Sequence, residues 1–338
     1  MDEIRKIIGQ KLCIGFDGPE ITPELRDLVR TYKIGNVILF RRNAVSPDQL
    51  RHLNRTLKEL ILQETGIPAL IAIDEECGKL SRLDHIGLKT PDAMEIGTSG
   101  DPSKAYEIAS AIGAELKDFG IGMNLAPVLD VNSNPKNPVI GVRSFGTDPQ
   151  TVSGFGIAYM LGLRNQGILS CGKHFPGHGD TDTDSHIGLP VVRKTREEME
   201  KTELVPFRSA IAEGIDAIMS AHVVFPALEP EGLPSTLSRR VITGLLRQEM
   251  NFSGVIISDC MEMDAVRTLY GTPVSVLKGM QAGIDIALIC HTPERQLKSA
   301  ELLEKAYRDG SLLLSEARES LQRILRMKST LQTKMSCL

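Results

Sequence analysis

No apolar run in this chain approaches the roughly 20 residues needed to span a bilayer, which excludes membrane insertion through a helix of that kind. No long basic run accompanies the net charge of −4, so there is no electrostatic footprint for nucleic acid. The partner to expect is a small molecule, neutral or anionic. Cysteines stand at 13, 77, 171, 260, 290 and 337 and never pair as CxxC. At least four fall in or beside expected buried strands, so reduced thiols are expected rather than a disulfide framework. The first residues, Met1-Asp2-Glu3-Ile4-Arg5-Lys6, alternate charge and lead into no long apolar h-region or cleavage signal, from which a cytoplasmic location is expected. No GxGxxG or GxxxxGK[ST] follows any strand, which removes the dinucleotide and phosphate-loop readings. Internal repeats beyond a strand-helix unit, low-complexity tracts and Ser- or Gly-rich linkers are also missing.

What is present is an ordinary apolar fraction of 41%, a charged fraction of 24% and a regular alternation. Short apolar runs recur at 12–16, 35–40, 69–73, 123–127, 168–171, 217–220, 255–258 and 284–289, and each reads as a buried strand. Between them lie stretches of helical length at 23–31, 47–64, 102–119, 149–166, 196–213, 238–251, 273–282 and 293–308. Several open with Pro after a cap-forming residue, as in Ser46-Pro47, Asp101-Pro102 and Thr292-Pro293. Eight strands and eight helices joined by right-handed crossovers make a doubly wound sheet or a closed barrel, and the count favours the barrel. Gly310 stops the eighth helix, and 315–327 forms one more. The expectation is an α/β protein, a single (β/α)8 barrel of TIM type over residues 1–338 with a C-terminal helix and no second core.

A barrel gathers the C-terminal ends of its strands onto one face, and the ionisable residues fall at those ends. Asp74 follows the third strand, Asp130 the fourth, Lys173 and His174 the fifth, His222 the sixth, Asp259 the seventh and His291 the eighth. Of the seven His, only His52 sits within an expected surface helix.

Asp259 ends a strongly apolar strand, where a carboxylate is costly unless it is paired or used. It is a candidate nucleophile or, equally, an N-cap for the segment that follows. Chemistry is densest in Lys173-His174-Phe175-Pro176-Gly177-His178-Gly179-Asp180-Thr181-Asp182-Thr183-Asp184-Ser185-His186, which leaves a buried strand. Asp184 and His186 are two apart, so in an extended loop both point to one side and the carboxylate can orient the imidazole for acid/base work. Two alternatives stand beside this: a solvated polar loop, and a metal site on the alternating His and Asp, although the spacing matches no common zinc pattern. Asp74, Arg82, Arg143, Lys173 and His174 supply the donors and acceptor expected for gripping a polyhydroxylated ligand. Each could instead serve a structural ion pair. In Asp74-Glu75-Glu76, only Asp74 is expected to point inward, with Glu75 and Glu76 solvated.

Together, the 173–186 run, the loop Asn137-Pro138-Val139-Ile140-Gly141-Val142-Arg143-Ser144-Phe145-Gly146 and the turn Ser258-Asp259 resemble glycoside hydrolase family 3. The likeness is to its single-domain β-N-acetylglucosaminidases of the NagZ type, and it spans most of the chain. The resemblance implies a retaining hydrolase that removes terminal β-linked N-acetylglucosamine without metal or cofactor. By that pattern Asp259 is the nucleophile, His186 the acid/base and Asp184 its orienting partner, while Asp74, Arg82, Arg143, Lys173 and His174 bind the sugar. His222 and His291 receive no role. The family commonly reads Asp-Gln-Glu-Gly-Gly-Arg after the third strand, where this chain has Asp74-Glu75-Glu76-Cys77-Gly78-Lys79; monosaccharide preference depends on what that change does. A C-terminal sandwich domain, common in the family, is not expected, which fits the compact type linked to recycling of cell-wall muropeptides. A His acid/base in place of a second carboxylate makes the site less hostile to anions, so a phosphorylase is an alternative, as is a barrel that binds sugar without catalysis. The expected partner is a saccharide, with the chain a monomer or weak homo-oligomer.

Overall fold

A computed structural model describes residues 2–181 and 188–335. Eight parallel strands close into a barrel in chain order: β1 (Leu12–Ile14), β2 (Asn36–Leu39), β3 (Leu70–Ile73), β4 (Met123–Asn124), β5 (Leu169–Phe175), β6 (Ala217–Ser220), β7 (Val255–Cys260) and β8 (Ile286–Ile289). Every strand matches an expected one, and the barrel is the architecture that the count of eight implied. Among the described residues no helix is long and apolar enough to cross a membrane.

The helices begin where the capping residues place them. Thr22, Ser46, Asp101 and Asp148 each accept a backbone N–H of the helix that follows, with Pro just inside it. Thr292 does not: its side chain makes no cap bond, and the Glu262 carboxylate accepts the His291 and Thr292 N–H groups instead, at 2.6 and 3.1 Å. The helix expected over 196–213 is broken into Arg196–Lys201 and Leu204–Ala212. Pro206 has no N–H to return to Thr202, so the turn cannot run through. The segment Arg240–Glu249 is wound as a π-helix. Three helices lie outside the expected alternation, at Asp2–Lys11, Ala93–Thr98 and Asp264–Tyr270.

Alternation along the strands sorts side chains into two cores. Leu70 and Ala72, Leu169 and Cys171, Val255 and Ile257, and Ile286 and Leu288 fill the barrel interior. Ile71, Ile73, Val37 and Leu39 face outward against the helices. Ile324 and Met327, from the helix Leu314–Met335, join the interior cluster. That helix lies under the N-terminal ends of the strands, where Lys328 Nζ donates to Gln10 Oε1 (2.7 Å), the Gly35 carbonyl (2.9 Å) and the Pro68 carbonyl (3.1 Å). The barrel is therefore stoppered at one end and open at the other.

Candidate active site

At the open end, the inward rows continue past the core into polar residues. Leu70 and Ala72 lead to Asp74, Leu169 and Cys171 to Lys173, and Val255 and Ile257 to Asp259, each two residues on. Asp74, Lys173 and Asp259 line one cavity of about 500 Å³ together with Arg82, Arg143 and His174. A contiguous cavity of about 390 Å³ shares Asp74, Arg82 and Asp259 with it and extends toward Phe40, Cys260 and His291.

Two strands run further than their apolar runs imply. The apolar run of β5 stops at 171, but the strand extends through Phe175, so Lys173 and His174 belong to the strand and not to a loop beyond it. Alternation would turn His174 away from Lys173. The pairing of β5 with β6 slips in register between Gly172 and Phe175, however, and such an irregularity re-aims the side chain beside it. The Lys173–His174 and Phe175–Pro176 peptides are cis. β7 likewise runs through Cys260, so Asp259 is a strand residue. The next helix starts at Asp264 with Met263 as its N-cap, which removes the capping role as an explanation for Asp259.

The cations of the site are held by carboxylates. Lys173 Nζ lies 2.7 Å from Asp74 Oδ1 and 2.5 Å from Glu76 Oε1. Arg143 donates to both Glu76 oxygens, from Nε at 2.9 Å and Nη2 at 2.7 Å. Burial alone would raise the Glu76 carboxyl, but Arg143 and Lys173 reverse that and hold it well below the usual carboxylate range. Contrary to the solvated position expected for it, Glu76 is the buried hinge of the cluster, 4% exposed. Its position turns on the packing of the turn after β3, where Tyr159 Oη donates to the Glu75 and Glu76 carbonyls. Glu75 is also buried, contrary to expectation. Its carboxylate accepts the Arg82 and Leu83 N–H groups at 2.8 and 3.1 Å, and burial pushes it up to about 7. The Glu75 departure from the family loop therefore shapes the backbone leading to Arg82 rather than lining the cavity. Arg82 is the loosest of the set, with Nη2 4.0 Å from Asp74 Oδ2.

Asp130, placed at a strand end by the sequence but given no role there, orients His174. Fully buried, it accepts the His174 N–H at 3.1 Å and the His178 N–H at 2.6 Å, and lies 2.7 Å from His174 Nδ1. A carboxylate at Nδ1 takes that N–H and leaves Nε2 toward the cavity, where Arg143 Nη2 is 3.4 Å away. Partial burial alone would raise the Asp259 carboxyl. The nearby His174 and His222 rings, the Cys260 N–H on Oδ1 at 2.7 Å and Lys173 outweigh that and keep it below its ordinary value. It stands ionised at neutral pH. His222 Nε2 is 3.0 Å from the Cys260 carbonyl and Nδ1 2.9 Å from Thr236 Oγ1, so it steadies the end of β7.

Asp184 and His186 lie outside the described residues, as does Asp182 of the alternating His and Asp run. Among the described residues no three metal-capable side chains come together.

The chain matches the glycosyl hydrolase family 3 N terminal domain over residues 3–327. It belongs to glycosyl hydrolase family 3. Its likeness to a β-hexosaminidase A of Pseudoalteromonas piscicida is 38% identity over 80% of the chain and 48% of that protein. For a β-hexosaminidase of Stenotrophomonas maltophilia it is 35% identity over 83% of each. Among solved structures, a family 3 β-N-acetylglucosaminidase from Paenibacillus sp. superposes with a TM-score of 0.94 at 42% identity, covering 97% of this chain and 62% of that one. The chain thus spans about half of the first relative and less than two thirds of the Paenibacillus enzyme. It shares that family with proteins named β-hexosaminidase and β-N-acetylglucosaminidase.

Proposed function

We propose that this chain is a retaining β-N-acetylhexosaminidase that removes terminal β-linked N-acetylglucosamine from glycosides, cell-wall-derived muropeptides among them. The observation that carries the reading is the Asp259 carboxylate, held ionised at the end of an inward row and facing the Asp74, Lys173, Glu76 and Arg143 cluster across one cavity. Those fixed donors and acceptors suit the ring hydroxyls of a sugar, and the names of the relatives supply its class. Asp259 attacks the anomeric carbon as the aglycone leaves, and water then hydrolyses the glycosyl-enzyme through an oxocarbenium-like transition state. His186 protonates the leaving oxygen and later takes the proton from water, with Asp184 stabilising its charged form. Asp74, Arg82, Arg143, Lys173 and His174 hold the sugar. A cytoplasmic monomer or weak homo-oligomer acting without metal or cofactor completes the proposal.

Water is favoured over phosphate as the acceptor because Lys173 and Arg143 are already committed to Asp74 and Glu76, which leaves them little charge to offer a dianion. Turnover of an aryl β-N-acetylglucosaminide, with and without inorganic phosphate, tests the whole reading. Release should not depend on phosphate, and no release from the wild type would sink the hydrolase. Asp259→Ala should lose about 10³-fold or more. His186→Ala should suffer least on substrates with good leaving groups, which need little protonation; an equal loss on good and poor leaving groups would remove it from the acid/base role.

A further inference from the structure

Beneath the barrel, at the end away from the candidate active site, a separate cavity of about 260 Å³ opens beside the entrances of β7 and β8. Its walls come from the end of Asp2–Lys11, the π-helix Arg240–Glu249, the end of Thr272–Ala282, Tyr307 and the first half of Leu314–Met335. It shares no lining residue with the two cavities around Asp259.

The floor of this cavity is built of charge, and the signs do not balance. Asp285, fully buried just before β8, accepts from Arg247 Nη2 at 2.8 Å, from Arg323 Nη2 at 2.9 Å and from the Ile256 N–H at 2.9 Å. Lys11 is 3% exposed. Its Nζ donates to the Ser320 hydroxyl and, at 3.2 Å, to the Ile284 carbonyl, and among the described residues no carboxylate pairs with it. Burial drives the Lys11 ammonium down to about 8; Asp285 and Glu316 resist this, while Arg323 and Arg247 add to it. Three floor cations against one carboxylate leave two positive charges over. At the rim Arg239 and Glu316 answer each other at 2.9 Å, and Glu319 stands exposed where water screens it.

Polar groups with open valence line the same space. Tyr307 is 5% exposed, yet its hydroxyl has no hydrogen-bond partner among the described residues, and neither has Arg323 Nη1. Buried polar groups are partnered as a rule, so donors left over at one cavity point to an acceptor that the chain itself does not supply.

We propose that this cavity binds a tetrahedral oxyanion of two negative charges, of which inorganic phosphate is the case tested, with Lys11, Arg323 and Tyr307 as its donors. A dianion matches the two charges left over, and charge-assisted bonds from Lys and Arg are the strong ones for phosphoryl oxygens. The volume lies below the roughly 300–1,000 Å³ of sites for larger organic ligands and suits an ion with a few waters. Arg247 and Asp285 hold the floor in place. Nothing here rests on the glycosidase reading, and no step of turnover is assigned to the site.

Melting temperatures of the full chain at pH 7, in inorganic phosphate and in chloride at equal ionic strength, are compared for wild type, Lys11→Met and Tyr307→Phe. Phosphate strengthens burial in proteins that do not bind it, so the measure is the gain of the wild type over the variants. At millimolar phosphate that excess over Lys11→Met should be about 2 °C or more. Calorimetric titration should show saturable binding of phosphate to the wild type, weakened about ten-fold or more by Lys11→Met and about three-fold by Tyr307→Phe, which removes one hydroxyl and keeps the ring. If Lys11→Met does not fold, the Tyr307→Phe titration decides. An equal gain in all three proteins is a salt effect and overturns the site, as does the lack of saturable binding to the wild type. Saturable binding that the folded variants retain in full places phosphate elsewhere on the protein and overturns it too.

Discussion

Glu76 is the residue on which the proposed sugar-binding cluster hangs, because one carboxylate answers a buried Lys173 and a half-buried Arg143. Glu76→Gln keeps the shape and removes the charge, leaving Lys173 with Asp74 and Arg143 without its carboxylate partner. Breaking a buried pair in this way costs about 3–5 kcal/mol, so the variant should melt at a clearly lower temperature. It should also raise KM for the aryl substrate more than it lowers kcat, because it loosens the groups proposed to grip the sugar. Calorimetry and steady-state kinetics read both, and an unchanged melting temperature together with an unchanged KM would detach Glu76 from the cluster. The inward residues of this site are legible in the sequence: Asp74, Lys173 and Asp259 each continue an alternating apolar row, and the period of that row is written in the residue order itself. Glu76 is not legible in the same way. It follows the strand, where alternation no longer holds, and groups far along the chain, the Asn124 amide and the Tyr159 hydroxyl, fix where the turn points. Asp130 stands visibly at its strand end, but its claim on His174 depends on two strands lying side by side.

At the scale of elements, the polar segment after β5 is seated by close contact rather than by hydrogen bonds alone. A Cβ on Gly179 would stand 1.8 Å from the Val131 carbonyl oxygen, which no side chain tolerates, so only glycine lets this segment lie against the end of the fourth strand. Gly179→Ala should push the segment outward just before the residues that lead to Asp184 and His186. The expected result is a fall in kcat of roughly ten-fold or more with the barrel intact, checked by far-ultraviolet circular dichroism beside the kinetics. Wild-type kcat in a folded Gly179→Ala protein would show that the contact does not position the proposed acid/base residues. The sequence does not reveal that β5 extends to Phe175 or that β7 extends to Cys260, because Lys173, His174 and Asp259 interrupt the apolar runs that mark strands. The broken helix after β5 is within reach of the sequence, since Pro206 stands inside it.

For the whole molecule, acid is the stress that its buried charges make specific. Burial drives the His178 imidazole down to about 4 from its ordinary 6.5, with the nearby His174 pushing the same way. The fold therefore holds it neutral while the unfolded chain takes up a proton below about 6.5. This contribution to stability is present above 6.5, declines as pH falls and is gone once pH has passed through the folded value near 4, a loss on the order of 3 kcal/mol. Denaturant midpoints should fall over that window in the wild type and fall less in His178→Asn. Parallel curves for the two proteins would mean that His178 titrates as freely folded as unfolded.

The stopper beneath the barrel sets how the cavity can be filled. With Ile324 and Met327 in the interior cluster and Lys328 tied to three strand entrances, the polar end has a single door. Under the proposed function, a released sugar departs by the way the next glycoside arrives. Product and substrate then compete for one vestibule, so free sugar should inhibit competitively, and traffic through that mouth, as well as chemistry on Asp259, limits how fast the barrel can cycle.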